Sequence, residues 1–374
     1  MTDDLRKLRG WLVAEQIADV ARESTGVFWK PVWNVLEGAV RLTLANAQEL
    51  KQVPGRKSDV KDSQWIADLL ACGLITPSFV PQQAQRDLRN LTRSRTTLLQ
   101  ERTRVSNRIQ KVLEDTNLKL AWVASDVLGK SGRDMLAALA EAQADPQRLA
   151  ELARGRLREK LDLLKRALEG HVRPHHRFLL RQLLDHLAHL EEQIAACDQQ
   201  IRQALRPFLT PTTEARLDKV VGVKRATIEV LVAEIGSDMS HFPTDGNLCS
   251  WAGICPGNEE SAGKRQRSRI EPGNKWLESA LIEAARAAAR SKDCYFRAQY
   301  ARLAARRGRN PAAVAVAHSL LTVIYHLLKN PESEYQDLGV AYSDQRNPTR
   351  QVKHLVQRLE TLGYHVTLTP HAVA

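Results

Sequence analysis

Three features that mark other protein classes are missing from this chain of 374 residues. No uninterrupted apolar run approaches the roughly 20 residues that a helix needs to span a bilayer, so we expect no membrane segment. Residues 1–8 are mostly polar and charged, unlike the start of a secretory signal peptide. The five cysteines are odd in number and form no Cys-x-x-Cys pair, which favours free thiols in a cytoplasm over disulfides or a zinc site.

The charge balance is strongly basic, with a formal net charge of +12 and a sequence pI of about 9.6. Such a surplus favours polyanionic partners, because each Lys or Arg set against a phosphate releases a condensed counterion. A basic surface that meets only solvent would give the same balance. The length and the 43% hydrophobic content allow two or three domains, each with its own core.

Residues 1–80 carry an α/β pattern. We predict a strand over Ile17–Ala21 and a helix whose apolar face runs over Phe28–Leu36. Apolar and polar residues alternate over Val40–Leu44, which is typical of a half-buried strand. A helix over Asp59–Cys72 follows, and Gly73 suits its end.

Residues 81–207 have a helical pattern throughout. Apolar side chains step by three and four from Leu88 to Val112, and again from Leu180 to Ile201. Two sustained heptad patterns predict two long helices in a coiled-coil stalk, paired within the chain or across a dimer. Arg95 and Arg102 occupy seam positions of the first helix, and we expect these long side chains to lift their charges out of the seam.

Residues 208–340 and the tail at 341–374 are also mostly helical by pattern. We predict helices over Trp276–Arg290, Pro311–Leu328 and Thr349–Leu362. The chain as a whole is therefore expected to be mainly α, with a partial α/β part at its amino end.

Three carboxylates stand where metal chemistry needs them. Glu23 falls at the expected end of the first strand, and Asp59 and Asp62 are three apart, so they share one helix face. Carboxylates that converge repel one another unless a cation such as Mg²⁺ neutralises them, and such ions promote phosphodiester cleavage. Acids in the first turn of a helix also favour the helix dipole with no metal at all.

The segment Leu217–Thr227 fits a helix-hairpin-helix, in which a glycine lets backbone N–H groups approach a phosphate. A plain helix-helix turn with a C-cap glycine is the alternative. The candidate nucleic-acid ligands in this segment are Gly222, Lys224, Arg225 and Thr227.

A serine at position 261 lies in a loop of small residues with many cations beside it. Such a serine could attack a phosphodiester while the cations stabilise the developing charge. A basic surface loop with an idle serine is the commoner situation. The neighbouring candidate nucleic-acid ligands are Lys264, Arg265, Arg267, Arg269 and Lys275, and a further basic cluster, ligand or solvated face, is Arg302, Arg306, Arg307 and Arg309.

These segments together resemble the DEDD transposases of the "one-ten" insertion-sequence family. Ala21–Val32 resembles the family's glutamate motif, and Lys57–Asp62 its paired-aspartate motif. Cys249–Trp276 is similar to the C-terminal transposase domain, with the glutamate-serine-small-glycine signature at Glu260–Gly263. The three motifs occur in the family's order over nearly the whole chain, which is far more specific than any one of them alone.

The resemblance implies a RuvC-like, RNase H-type domain that binds Mg²⁺ through Glu23, Asp59 and Asp62, and a coiled-coil insert used in assembly. It also implies a helical C-terminal domain in which Ser261 is the nucleophile that becomes joined to DNA. The expected partners are DNA, a structured guide RNA and further copies of the chain, as a dimer or tetramer. The expected location is the cytoplasm, at the nucleoid.

One departure from the family concerns its first acid, which lies on an opening strand well before the glutamate motif. Only 22 residues precede Glu23 here, so we expect either a start codon placed too late or a decayed copy. The alternative function is therefore an inactive, truncated nucleic-acid-binding remnant. A purely structural helical assembly protein would explain the heptads, but not the acids, the serine loop or the charge.

Overall fold

The computed structural model describes residues 1–46, 50, 59–143, 145–255, 259–261, 264–267, 272–346 and 348–369. Within this, only the backbone is described for 59–62, 259–261, 264–267, 343, 344, 350 and 354. The chain folds as two compact units, residues 1–82 and 83–374.

The first unit is built around one pair of parallel strands. Its elements in chain order are α1 (Thr2–Ala14), β1 (Asp19–Glu23), α2 (Trp29–Leu36), β2 (Arg41–Ala45) and α3 (Asp59–Ala71). The register places Asp19 opposite Arg41 and Glu23 opposite Ala45. An ion pair of 2.8 Å between Arg41 Nε and Asp19 Oδ1 closes one end of the pair. The predicted β-helix-β order is thus present, and among the described residues of this unit the sheet has two strands.

The first strand begins two residues later than predicted. The chain leaves α1 through Gln16, which has a left-handed φ of 55°. The N–H of Ile17 donates to the carbonyl of Leu12 at 2.9 Å, so residues up to Ile17 terminate the helix. A pattern of apolar residues does not separate a helix end from a strand start here, because both use the same side chains.

The second unit begins with the two long helices that the heptad pattern predicts. They are α4 (Gln83–Asp115) and α9 (Pro174–Leu205), and they pack against each other as an antiparallel hairpin within the chain. The short elements between them are α5 (Leu120–Val123), α6 (Lys130–Ala140), α7 (Pro146–Glu151), a 3₁₀ turn (Gly155–Lys160) and α8 (Leu161–Ala167).

The short elements form a lobe over the far half of the hairpin. Met135 and Leu136 of α6 are buried against Ile109 of α4 and Leu187 of α9 in one hydrophobic core. Arg133 adds a two-pronged ion pair to Glu191, with N–O distances of 2.5 and 2.6 Å. The hairpin therefore has a core of its own at this end.

The near half of the hairpin belongs to a second core. Leu88 of α4 and Ile201 of α9 are fully buried among C-terminal residues. The helices that complete this core are α10 (Pro211–Asp218), α11 (Arg225–Ile235), α12 (Asp245–Trp251), α13 (Lys275–Arg290), α14 (Tyr295–Arg307) and α15 (Arg309–Lys329). Two antiparallel strands, β3 (Glu259–Ser261) and β4 (Lys264–Arg267), lie between α12 and α13, and α16 (Tyr342–Gln345) and α17 (Pro348–Thr361) follow.

Helix α15 qualifies the expectation that no segment could cross a membrane. It is long and apolar enough by length and composition, the one such helix among the described residues. However, its residues from Ala312 to Leu328 supply much of the C-terminal core, with Leu320, Leu321 and Ile324 fully buried. The central helix of a globular domain has the same composition, so this helix is weak evidence for a membrane segment.

The seam arginines do not behave alike. Arg102 is exposed, as expected, whereas Arg95 is only 6% exposed. Its guanidinium is ion-paired with Glu229 of α11 and, at 3.0 Å, with Asp198 of α9. The expectation that Arg95 lifts its charge out of the seam is wrong, because the buried Glu229 and the partly exposed Asp198 neutralise it in place.

The hairpin core makes a first prediction. Leu180→Ala should lower the free energy of unfolding of the second unit by about 2 to 5 kcal/mol, because this fully buried side chain would leave a cavity. The matched control is Leu179→Ala on the same helix, where the side chain is 42% exposed and the loss should stay below about 1 kcal/mol. Urea denaturation followed by circular dichroism measures both, and equal losses would contradict the packing described.

Candidate active site and nucleic-acid interface

Glu23 is the last residue of β1, as predicted from the sequence. The next N–H, that of Ser24, donates to the Ala45 carbonyl at 2.9 Å, so the strand pair ends at this position. The Glu23 side chain is half-buried at the carboxyl edge of the parallel pair. This edge is where open parallel sheets commonly bind ligands.

The two aspartates lie on a neighbouring element. Asp59 and Asp62 occupy the first turn of α3, and α3 contacts β1. Their side chains fall outside what the structure describes, so the meeting of the three carboxylates stays a prediction. The backbone of α3, which carries the two aspartates, lies beside β1, which carries Glu23.

We call residues 254–272, which include Ser261, the serine segment. It leaves and re-enters the domain at one point. Gly253 has a left-handed φ of 74°, and its backbone lies against Gly273 at the far end of the segment. A Cβ added at Gly273 would lie 2.2 Å from the Gly253 nitrogen. The N–H of Asn274 donates to the Trp251 carbonyl at 3.2 Å and closes the base. Only glycine permits this approach of two backbones.

A fully buried carboxylate binds Asn274, the residue at which the chain re-enters the domain after the serine segment. Glu234, near the end of α11, has 0% exposure. Arg93 of α4 donates to both its oxygens at 2.7 Å, and the Asn274 amide donates to Oε2 at 2.7 Å. Asn274 also caps α13, since its Oδ1 accepts from the N–H groups of Trp276 and Leu277. We call Glu234, Arg93 and Asn274 the loop anchor.

A second arginine supports the loop anchor from the same helix. Arg89 donates to the carbonyls of Ala233, at 2.9 Å, and of Glu234. Burial lowers the pKa of the Arg89 guanidinium to about 10, although the Glu234 charge opposes that shift. The side chain therefore remains protonated at neutral pH and helps to neutralise the buried carboxylate.

The strand register places the predicted nucleophile next to a cation. Ser261 ends β3 and pairs with Lys264 at the start of β4. Arg265 and Arg267 follow on β4, opposite Glu260 and Glu259. The side chains of all these residues, and the whole of Arg269, fall outside the described residues. The backbone alone brings the serine and the basic strand together.

An open groove of about 580 Å³ runs along the base of the serine segment. Trp251 and Trp276 supply its aromatic surface, and Lys275 Nζ lies 5.0 Å from the centre of the Trp276 ring. Arg93 lies 5.8 Å from the same ring. Aromatic rings beside cations suit nucleotides, because every base has a face that can stack.

The segment predicted as a helix-hairpin-helix has the two expected helices. Its glycine lies against another helix of the same domain. α10 and α11 flank the turn at 219–224, and α11 ends at Ile235 as predicted. Gly222 has a φ of 89°, and a Cβ there would lie 2.4 Å from the Ala284 carbonyl of α13. The close approach that requires glycine is therefore to a helix of the same domain. Its approach to a phosphate stays a prediction.

The basic residues of this turn are exposed but already paired. Lys224 Nζ lies 2.8 Å from Asp218, and Arg225 Nε lies 3.0 Å from the buried Glu229. Thr227 is half-buried in the first turn of α11. A phosphate would have to compete with these carboxylates for Lys224 and Arg225. By contrast, the basic cluster at Arg302, Arg306, Arg307 and Arg309 is exposed, and no described carboxylate lies within ion-pair distance of it.

Sequence patterns missed the residues that hold the site. Glu234 reads as one polar position on an apolar helix, and Arg93 as one of many arginines. The signal that could have found part of the loop base is Gly273-Asn274, since glycine permits close approach and Asn is a preferred N-cap. The partner of each residue lies too far along the chain for spacing to reveal it.

Comparison with known proteins gives two domain matches. Residues 1–118 match the protein-family model for DEDD transposases of IS110 elements. Residues 214–301 match a second family model, which is described as Transposase IS116/IS110/IS902 family. A probable family 20 transposase of Pseudomonas aeruginosa is 25% identical over 337 residues, covering 87% of this chain and 86% of that protein. The transposase for insertion sequence element IS1111A of Coxiella burnetii is 25% identical over 301 residues, covering 78% and 72%.

The loop base makes a second prediction. Gly273→Ala should destabilise the second unit by about 1 to 3 kcal/mol and speed hydrogen exchange at Trp251–Gly253, because the added methyl group forces the two backbones apart. Gly246→Ala is the matched control, since its nearest neighbour is a side-chain oxygen at 3.5 Å. Thermal unfolding and amide exchange measure the two variants. Similar behaviour of both would show that the contact at the base is not required.

Proposed function

We propose that this chain, which carries the transposase domains of the IS110 family, cuts and rejoins DNA through Ser261 with a metal site at its amino-terminal acids. The observation that carries the proposal is the pinched base of the serine segment. Gly253 and Gly273 bring its two ends together, and the buried Glu234 anchors one of them. The closed base fixes where the segment leaves and re-enters the domain, which is a first requirement for positioning a catalytic group.

In the proposed chemistry the Ser261 hydroxyl oxygen attacks a DNA phosphorus atom. The bond from serine oxygen to phosphorus forms as the bond from phosphorus to a sugar oxygen breaks. The proton lost by the Ser261 hydroxyl passes through water to the released sugar oxygen. A second DNA end then reverses the exchange and frees the serine. Cations of β4, beginning with Lys264 across the strand pair from Ser261, would stabilise the charge on the phosphorane-like transition state.

The amino-terminal acids suit Mg²⁺. Glu23, Asp59 and Asp62 would supply carboxylate oxygens, the donors that this ion prefers, and β1 and α3 are in contact. When bound, the ion would activate a hydroxyl group or neutralise a leaving oxygen. The half-buried position of Glu23 beside the strand end keeps that carboxylate close to the protein surface, where a phosphate can reach it.

DNA and a structured RNA would both be held by the basic surface. The exposed arginines from Arg302 to Arg309 and the turn at 219–224 are the described candidates, and the groove with Trp251 and Trp276 would accept an unpaired base. The helical hairpin would join copies of the chain on their DNA in the cytoplasm.

The serine chemistry makes a third prediction. Incubation with Mg²⁺, element-end DNA and the element's own transcript should give a covalent protein–DNA adduct that survives denaturation. Ser261→Ala should abolish it, because no other group would form the same phosphoester. Ser237→Ala is the control, an exposed serine of the same unit that lies outside the groove with Trp251 and Trp276. An adduct of unchanged yield in Ser261→Ala rules out this nucleophile.

The basic surface makes a fourth prediction. DNA affinity should fall by about 10³ or more between 50 and 200 mM salt if about six or more phosphates are contacted. The double substitution Arg306→Gln and Arg307→Gln should reduce the salt slope by about 2, one unit for each lost phosphate contact. Arg156→Gln with Arg158→Gln, exposed in the lobe of the hairpin, is the matched control.

Fluorescence anisotropy at several salt concentrations measures these slopes. Identical slopes for both double variants would remove the Arg302–Arg309 cluster from the interface. Salt-sensitive binding without any adduct in the unsubstituted chain would favour the non-catalytic nucleic-acid-binding alternative.

A further inference from the structure

A cavity of about 580 Å³ lies between the start of α14, the second half of α15 and the segment at 333–338, all in the second unit. Tyr295 and Phe296 of α14 and Val323 and Leu327 of α15 supply much of its apolar surface. We call it the α15 cavity. Binding sites for small organic groups have volumes of about 300 to 1,000 Å³ and a mostly apolar lining, so this cavity suits a group as large as a nucleotide.

Hydrogen bonds hold the walls of the α15 cavity in place. Asp337 Oδ2 accepts the hydroxyl of Tyr335 at 2.7 Å, and Asp337 Oδ1 accepts the N–H of Tyr295 at 3.0 Å. The side chain of Gln299 on α14 donates to Ser319 Oγ on α15 at 2.8 Å. Tyr335, Tyr295 and Ser319 all line the cavity. The walls are therefore formed in advance, and a ligand can bind with little ordering of the chain.

Three polar side chains of α15 line the cavity at helical spacing. His318, Thr322 and His326 follow one another at intervals of four residues. Within the described part of the chain, neither imidazole ring has a hydrogen-bond partner. Imidazole and hydroxyl groups can both donate and accept hydrogen bonds, so they can meet the mixed polar edge of a heterocycle. The ring of Tyr295 provides a face on which such a heterocycle can stack.

The charges in the α15 cavity distinguish a base from a phosphate. Its described lining includes two carboxylates, the half-buried Asp245 and the exposed Glu334, and no Lys or Arg. These carboxylates repel a phosphate, but they can accept a hydrogen bond from the amino group of adenine, cytosine or guanine. Glu334 already pairs with Lys219 at 2.8 Å, so Asp245 is the better placed acceptor.

One face of α14 connects the α15 cavity to the basic cluster at 302–309. Tyr295, Gln299, Arg302 and Arg306 are spaced by four, three and four residues, which places them along a single helix face. The helix rises about 10 Å from Tyr295 to Arg302 and about 16 Å from Tyr295 to Arg306. Both arginines are exposed. A single strand whose phosphates contact these arginines can therefore place one base at the cavity.

We propose that the α15 cavity receives one unpaired base of a DNA strand, stacked on Tyr295, while Arg302 and Arg306 bind the adjoining phosphates. The inference rests on the proposed function, because it uses the basic cluster that was assigned there to DNA. The apolar Val323 and Leu327 favour deoxyribose, since a 2′-hydroxyl group buried beside them would lack a partner. An unpaired base enters more easily than a paired one, because no base pair has to be broken.

Photocrosslinking of the full-length chain tests this inference. The probe is an oligodeoxycytidine of about ten nucleotides, a length that one domain can bind, with a single 5-iodocytosine at its centre. We expect the crosslink in the tryptic peptide Asp293–Arg297, which contains Tyr295. Tyr295→Leu should lower the yield at that peptide roughly tenfold or more, because it removes the ring on which the base stacks.

A second variant tests the cavity with Tyr295 left in place. Val323→Trp fills the cavity with an indole ring, and it should lower the yield at the same peptide roughly tenfold or more while the salt slope of DNA affinity stays unchanged. The matched control is Val314→Trp, since Val314 is also a half-buried valine of α15 but lies outside the cavity. This control should crosslink like the unsubstituted chain. Thermal unfolding checks that all three variants are folded.

Two results would overturn the inference. One is a crosslink that maps outside Asp293–Arg297 or keeps its yield in both Tyr295→Leu and Val323→Trp. The other is a crosslink at this peptide with oligocytidine RNA but not with the DNA probe. If salt-sensitive DNA binding persists in either case, the inference fails alone and the basic surface stands. The Ser261 adduct is measured separately, so its presence or absence is independent of this test.

Discussion

The second unit depends on one carboxylate that has no access to water. Glu234 is fully buried, and an isolated charge there would be prohibitively costly, so its partners are obligatory. Arg93 connects the carboxylate to the hairpin. Asn274 connects it to the end of the serine segment. Loss of a partner from a buried ion pair costs about 3 to 5 kcal/mol, far more than the pair contributes on balance. The carboxylate therefore fixes which elements must meet.

A second buried charge stands nearby on the same helix and follows the same logic. Glu229 pairs with Arg95 of α4 and Arg225 of the turn, and Arg95 also reaches Asp198 of α9. Burial alone would lower the pKa of Arg95, but the hydrogen bond and charge of Glu229, with those of Asp198, outweigh this and raise it. Both buried acids of α11 thus set the register of the hairpin against the C-terminal helices. Glu234 binds Asn274 at the end of the serine segment and Glu229 binds Arg225 beside the turn at 219–224, so α11 supports both.

Local patterns were sufficient for the helices and insufficient for the contacts between them. The heptads of α4 and α9 and the strand end at Glu23 could be predicted, because each rests on neighbours in sequence. Arg93 and Glu234 are 141 residues apart, and Arg95 and Glu229 are 134 apart, so no periodicity links either pair. The sequence predicts that Gly222 permits a close approach to a phosphate, whereas the structure shows the close approach of α13. Charge pairing across a core is a property of the tertiary fold.

Helix α4 continues without interruption from the loop anchor to Asp115 at the far end of the hairpin. From Arg93 to Asp115 it rises about 33 Å, at roughly 1.5 Å for each residue. A tilt of about 10° pivoting at the Arg93–Glu234 contact would carry the far end through roughly 6 Å. The hairpin is thus a lever whose pivot, Arg93, shares the Glu234 carboxylate with Asn274 at the end of the serine segment. A small rotation at this contact would become a displacement of several ångströms at Asp115.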